Sequence, residues 1–163
     1  MWPGVAILAF VTLQRLAELI YSRRNSRRLL SRGAYEVAPG HYPLLVALHA
    51  SWLAALWLFG PGPPVELVPL GLFALLQVAR LWVIATLGER WTTRIIIVPG
   101  APLVRQGPYR WLDHPNYWIV IAEIAILPLV FGLPEVAVFF SLLNAIILWV
   151  RIREENRALG GLS

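Results

Sequence analysis

The sequence predicts an all-α integral membrane protein with five transmembrane helices. The N-terminus is expected outside and the C-terminus in the cytoplasm, with a polar pocket facing the cytosol. Three observations predict this class. Hydrophobic residues make up 58% of the 163 residues and charged residues only 14%, with mean hydropathy +0.66. Apolar runs long enough for a bilayer recur along the chain. All fourteen basic residues are arginines, and nearly all lie between or at the ends of those runs.

The first run extends from about Trp2 to Tyr21, with no basic n-region or small-residue cleavage site, so it is expected to be a retained helix. Arg23, Arg24, Arg27, Arg28 and Arg32 follow it. The second run covers about residues 42–59 and the third about 65–87, separated by "GPGPP", Gly60 to Pro64, a turn no helix survives. The long connection from Gly88 to Pro115 carries Arg90, Arg94, Arg105 and Arg110, and its "RIIIVPGAPLV" reads as extended chain or turn. A fourth run, about 116–131, is short and contains Pro128. "FGLPE", Phe131 to Glu135, then marks a tight hairpin into the fifth run, about 135–151, which is followed by Arg153 and Arg157. The two short connections lack arginine, so the positive-inside rule places the three arginine-rich regions in the cytoplasm. The 163 residues read as a single domain without internal repeats.

Composition also excludes classes. With no cysteine, disulfides and thiolate metal sites are out. His41, His49 and His114 show no ligand spacing, so no metal is expected. The net charge of +5 follows the membrane topology, so no nucleic-acid partner is expected.

Polar side chains inside the runs are costly, which makes them paired, snorkelling or functional. Gln14, Arg15 and Glu18 lie toward the cytoplasmic end of the first run, where Arg15 and Glu18 either pair at the interface or face inward. Gln77 and Arg80 sit near the middle of the third run, and an inward position is expected for them. Glu123 lies two helical turns beyond Asn116 on one face. Asn144, Arg151 and Glu155 share a face of the fifth run, where Arg151 and Glu155 are also spaced for an ion pair. These faces predict a polar cavity open to the cytosol, where a charged reagent can meet a greasy substrate.

"GPYRWLDHPNY", a hydrophobic helix pair and then "RIREENRAL" resemble the isoprenylcysteine carboxyl methyltransferase family. Its signature is Arg-His-Pro-x-Tyr, a hydrophobic stretch, then Glu-Glu. "TTRIIIVPGAPLVRQGPYR" and "RNSRRLLSRGAYEVAPGHYP" are similar to the small bacterial branch, some of whose members methylate the hydroxyl of alkylpyrones. The resemblance implies a methyltransferase using S-adenosyl-L-methionine, held by residues 103–159 at the cytosolic face of a bacterial inner membrane. Carried over by position, His114 and Tyr117 would contact the cofactor and Glu155, with Glu154, its ribose hydroxyls. Leu103 and Tyr109 would flank the adenine. Pro115 suits a first helical turn, which would turn the amides of Asn116 and its neighbours toward the cofactor's carboxylate. Where the family has arginine before His-Pro, this chain has Asp113, either a helix cap or a change at the substrate side. That departure favours a small lipid over prenylcysteine.

The implied reaction transfers a methyl group to a carboxylate or an enol or phenol hydroxyl of a lipophilic small molecule or prenylcysteine-like substrate entering from membrane lipid. A phenol needs a base, for which Glu123 and His49 are candidates, His49 being alternatively a hydrogen-bonded core histidine. Arg80 is a candidate for orienting an anionic oxygen. The competing readings are a phospholipid N-methyltransferase and a small membrane scaffold or transporter subunit without chemistry.

Overall fold

The computed structural model describes residues 1–161. Five helices follow in order: α1 Trp2–Ser31, α2 Tyr42–Phe59, α3 Leu67–Leu87, α4 Pro115–Val130 and α5 Pro134–Gly160. In lipid every backbone polar group must be satisfied within the chain, so apolar runs of this composition become helices. Four of the five are long and apolar enough to cross a membrane. The 16-residue α4 reaches only about 24 Å at 1.5 Å per residue, and Pro128 sits in its last turn.

Two helices outrun their apolar segments. α1 continues for ten residues beyond Tyr21 through the arginine-rich stretch, and α5 continues nine beyond Arg151. Arginine is a strong helix former, so the end of the hydropathy run marks the edge of the lipid and not the end of the helix. The extension of α1 buries Ser22, Asn25, Ser26 and Leu29. Asn25 Nδ2 donates to the carbonyls of Gly88 at 3.2 Å and Trp91 at 2.8 Å, fastening the α3–α4 connection to α1.

Between 3-10 turns at Gly88–Arg90 and Gly107–Arg110, the "RIIIVPGAPLV" of that connection is extended chain and turn, as expected. A two-residue strand β1, Tyr35–Glu36, pairs antiparallel with β2, Ile96–Ile97.

The helices alternate in direction, so the short turns gather at one end. A Cβ placed on Gly4 would lie 3.5–3.6 Å from Gly60, Pro61 and Phe131, and the Glu66 amide donates to Val130 O at 2.8 Å. The arginine-rich connections form the other end. Leu8, Val11, Trp52, Leu56, Leu127, Val130 and Phe131 form a core toward the turn end. A smaller core of Val83, Trp91 and Ile119 lies toward the arginine-rich end. Leu75, Val78 and Leu81 of α3 and Leu142, Ile146 and Trp149 of α5 are exposed, the face a bilayer would cover.

Candidate functional site

One cavity of about 370 Å³ runs from the arginine-rich end into the bundle. Its deep wall is built from polar residues of three helices. Arg15 of α1 donates to Glu18 Oε2 at 3.0 Å and to Glu123 Oε2 of α4 at 2.6 Å. Arg80 of α3 reaches Glu123 Oε2 at 3.2 Å, and its Nε lies 3.0 Å from Glu18 Oε1, outside hydrogen-bonding geometry. Gln77 Nε2 donates to Glu123 Oε1 at 2.8 Å, and Gln14 Nε2 to Gln77 Oε1 at 2.7 Å. Two guanidinium groups and two carboxylates thus close a network of zero net charge, which lets a membrane bundle hold four ions. The inward position expected for Gln77 and Arg80 is found, and the Arg15–Glu18 pair faces the bundle.

The cavity mouth lies where the start of α4 meets the end of α5. Pro115 opens α4 with His114 as its N-cap residue, and neither His114 nor Asp113 caps through its side chain. The first turn tightens, with Tyr117 and Trp118 amides both bonding His114 O, while the Asn116 amide has no backbone partner among the described residues. Tyr117 OH donates to Glu155 Oε2 at 2.7 Å. His114 stacks on the Tyr117 ring, centroids 5.3 Å apart, and its Nδ1 lies 3.8 Å from Glu155 Oε2. Residues 38 apart in sequence meet because the α4–α5 hairpin returns the chain to the same end.

Tyr109 enters the cavity from the 3-10 turn Gly107–Arg110. Burial, with the Glu155 carboxylate beside it, pushes its hydroxyl above the ordinary tyrosine value. Gly107 has φ +55°, and a Cβ there would meet Thr86 Oγ1 at 2.6 Å, so glycine lets the turn lie against α3.

Of the residues singled out from sequence, Arg15, Glu18, His49, Arg80, Tyr109, Asp113, His114, Asn116, Tyr117, Arg151 and Glu155 line this one cavity. Glu123 stands behind the wall, bonded to Arg15, Arg80 and Gln77. Glu154 turns away to Arg157 at 3.1 Å, and Leu103 is 54% exposed; neither lines the cavity. Arg151 spends Nη2 on the Thr93 carbonyl at 2.7 Å instead of pairing with Glu155.

Sequence reading missed Thr93. Its hydroxyl meets Ser22 Oγ at 2.8 Å and Tyr42 OH at 3.0 Å, so with the Arg151 bond it joins α1, α2 and α5 at the mouth. Nothing local distinguishes it from Thr92. Arg15 and Glu18 were visible as a pair, but their partners lie on other helices.

The sequence profile of the isoprenylcysteine carboxyl methyltransferase family matches residues 69–160, more than half of the chain. The chain belongs to that family. Membership makes it a membrane methyltransferase in class, and the family's enzymes use S-adenosylmethionine. The chain is also 37% identical over 158 residues to the uncharacterized protein YpbQ of Bacillus subtilis, covering 94% of each. An uncharacterized protein of Haemophilus influenzae is 27% identical over 157 residues, covering 91% of this chain and 90% of that protein. No solved structure matches the chain significantly. The family match spans α3 to α5, which supply Arg80, the His-Pro-Asn-Tyr turn and Glu155.

Proposed function

We propose that this protein binds S-adenosyl-L-methionine at the arginine-rich mouth and methylates an oxygen of a lipophilic small molecule held deeper in the same cavity. The convergence of His114, Tyr117 and Glu155 at that mouth carries the reading. Unpaired buried atoms support it. Asn116 Oδ1 and Arg151 Nε, both on cavity-lining residues, are buried with no hydrogen-bond partner among the described residues, one acceptor and one donor suited to a polar ligand.

When bound, the cofactor supplies an electrophilic methyl group on a sulfonium. Glu155 accepts the ribose hydroxyls, a charge-assisted contact Glu154 is turned away from making. The stacked rings of His114 and Tyr117 offer aromatic faces to the cation. Asn116 receives polar groups of the amino-acid end, and Tyr109 the adenine side. The chain contributes alignment and exclusion of water, the main demands of an in-line displacement.

The acceptor's apolar tail enters from the bilayer between α1 and α2. Leu16 and Val46 line the cavity while being 52% and 39% exposed on the bundle's outer face, which suits a lateral opening. Trp57 Nε1 donates to Thr12 Oγ1 at 3.0 Å and bounds that opening toward the turn end. The arginine-rich end faces the cytosol by the positive-inside rule, in a bacterial cytoplasmic membrane.

Incubating membranes that contain the protein with methyl-labelled donor tests the reading. Label is expected in an apolar lipid, either released by alkali as from an ester or retained as in an ether. Label on a phospholipid amine, or none above control membranes, would contradict it.

A further inference from the structure

We infer that His49 is the general base of this enzyme, taking a proton from an acceptor that enters as a neutral hydroxyl. The inference rests on the methyltransferase reading above and adds the group that activates the nucleophile.

The geometry fixes the imidazole's tautomer. His49 Nδ1 lies 2.9 Å from the carbonyl of Leu45, one turn earlier in α2. A carbonyl only accepts, so Nδ1 carries the proton and Nε2 presents a lone pair. Nε2 makes no hydrogen bond among the described residues, and His49 lines the cavity. Trp52 packs edge-on against the ring at 6.5 Å, holding its plane.

The other candidate base is already engaged. Glu123 Oε1 accepts from Gln77, and Oε2 faces both Arg15 and Arg80. Both of its oxygens therefore already hold partners, and neither is turned to the open cavity. Glu18 is engaged too: Oε2 accepts from Arg15 and Oε1 from Gln14, with Arg80 Nε 3.0 Å from Oε1. Arg15 and Glu18 of α1, Arg80 of α3, Tyr117 of α4 and Arg151 of α5 line the cavity with His49, and Glu123 stands behind them. Among these groups His49 alone pairs a fixed lone pair with no bonded partner.

The step balances. The hydroxyl proton passes to Nε2 while the acceptor oxygen bonds the methyl carbon. The carbon–sulfur bond breaks and its electron pair stays on sulfur. The products are a methyl ether, a neutral thioether and an imidazolium. The imidazolium loses its proton to water through the arginine-rich mouth once the ether has left.

The test uses the whole protein in lipid nanodiscs with three acceptor probes: pentadecylphenol, its more acidic nitro derivative and palmitic acid. His49→Asn removes the base yet keeps an amide N–H within reach of Leu45, and His49→Gln serves as a second variant. Wild type is expected to methylate pentadecylphenol, and both variants to lose that activity by about 100-fold or more. The nitrophenol, ionised beforehand, should lose less than about 5-fold, as expected where no base is needed. Donor affinity by titration should stay within 2-fold, marking an intact fold. Nitrogen NMR of labelled histidine in wild type should show Nδ1 protonated and Nε2 bare.

Equal losses on both phenols, no loss on either, or an Nε2-protonated tautomer would overturn the assignment. So would a wild type that binds donor but leaves pentadecylphenol unmethylated, whether or not it uses palmitic acid. Failure of wild type to bind donor would instead strike at the methyltransferase reading.

Discussion

Arg15 Nη2 lies 2.6 Å from Glu123 Oε2, joining the first helix to the fourth through a carboxylate that is 1% exposed. Arg80 shares the same oxygen from the third helix at 3.2 Å. Three helices are therefore registered against one another by one acid, in surroundings where an unpaired ion is expensive.

Glu123→Ala leaves both guanidinium groups short of a partner. The expected cost is about 3–5 kcal/mol, as for breaking any buried pair from one side. Thermal unfolding in detergent measures it. An unchanged midpoint would mean that water or lipid already satisfies these arginines.

Tyr109 makes stability fall at alkaline pH. The unfolded tyrosine releases its proton near the ordinary value of 10, while burial and the Glu155 carboxylate hold the folded one protonated to higher pH. Between those values the unfolded state binds fewer protons, so stability is full below 10 and declines as pH rises above it. Tyr109→Phe should flatten that decline in unfolding curves taken across the alkaline range. An identical slope in the variant would contradict the placement of this ring.

Gly107→Ala puts a Cβ at positive φ and against the Thr86 hydroxyl. A loss of about 1–3 kcal/mol is expected from backbone strain, together with weaker donor binding because the turn carries Tyr109. Unfolding and titration of the same preparation check both effects. Preserved stability would show that the turn can move off α3 freely.

Much of this architecture follows from the chain alone, and the exceptions have physical causes. The apolar runs located all five helices, because burial in lipid is a local property of a segment. They placed the ends of α1 and α5 too early, since arginines outside the lipid continue a helix readily. The β1–β2 pair, with Tyr35 opposite Ile97, is two residues long and joins distant segments, so no periodicity announces it. His114, Tyr117 and Glu155 were recognisable as a motif. The partners of Arg80 were not, because helical spacing reports which face a residue occupies and not which neighbour fills it. Glu154 shows the converse: adjacent to Glu155 in sequence, it points to Arg157 on the surface.

Titration of S-adenosylmethionine into purified wild type and Glu155→Gln tests the central claim most directly. Wild type is expected to bind, and the variant to lose affinity by about 10-fold or more, the scale of a charge-assisted hydrogen bond, with helix content and membrane insertion unchanged. Equal affinity in the two proteins would contradict a donor site built on His114, Tyr117 and Glu155.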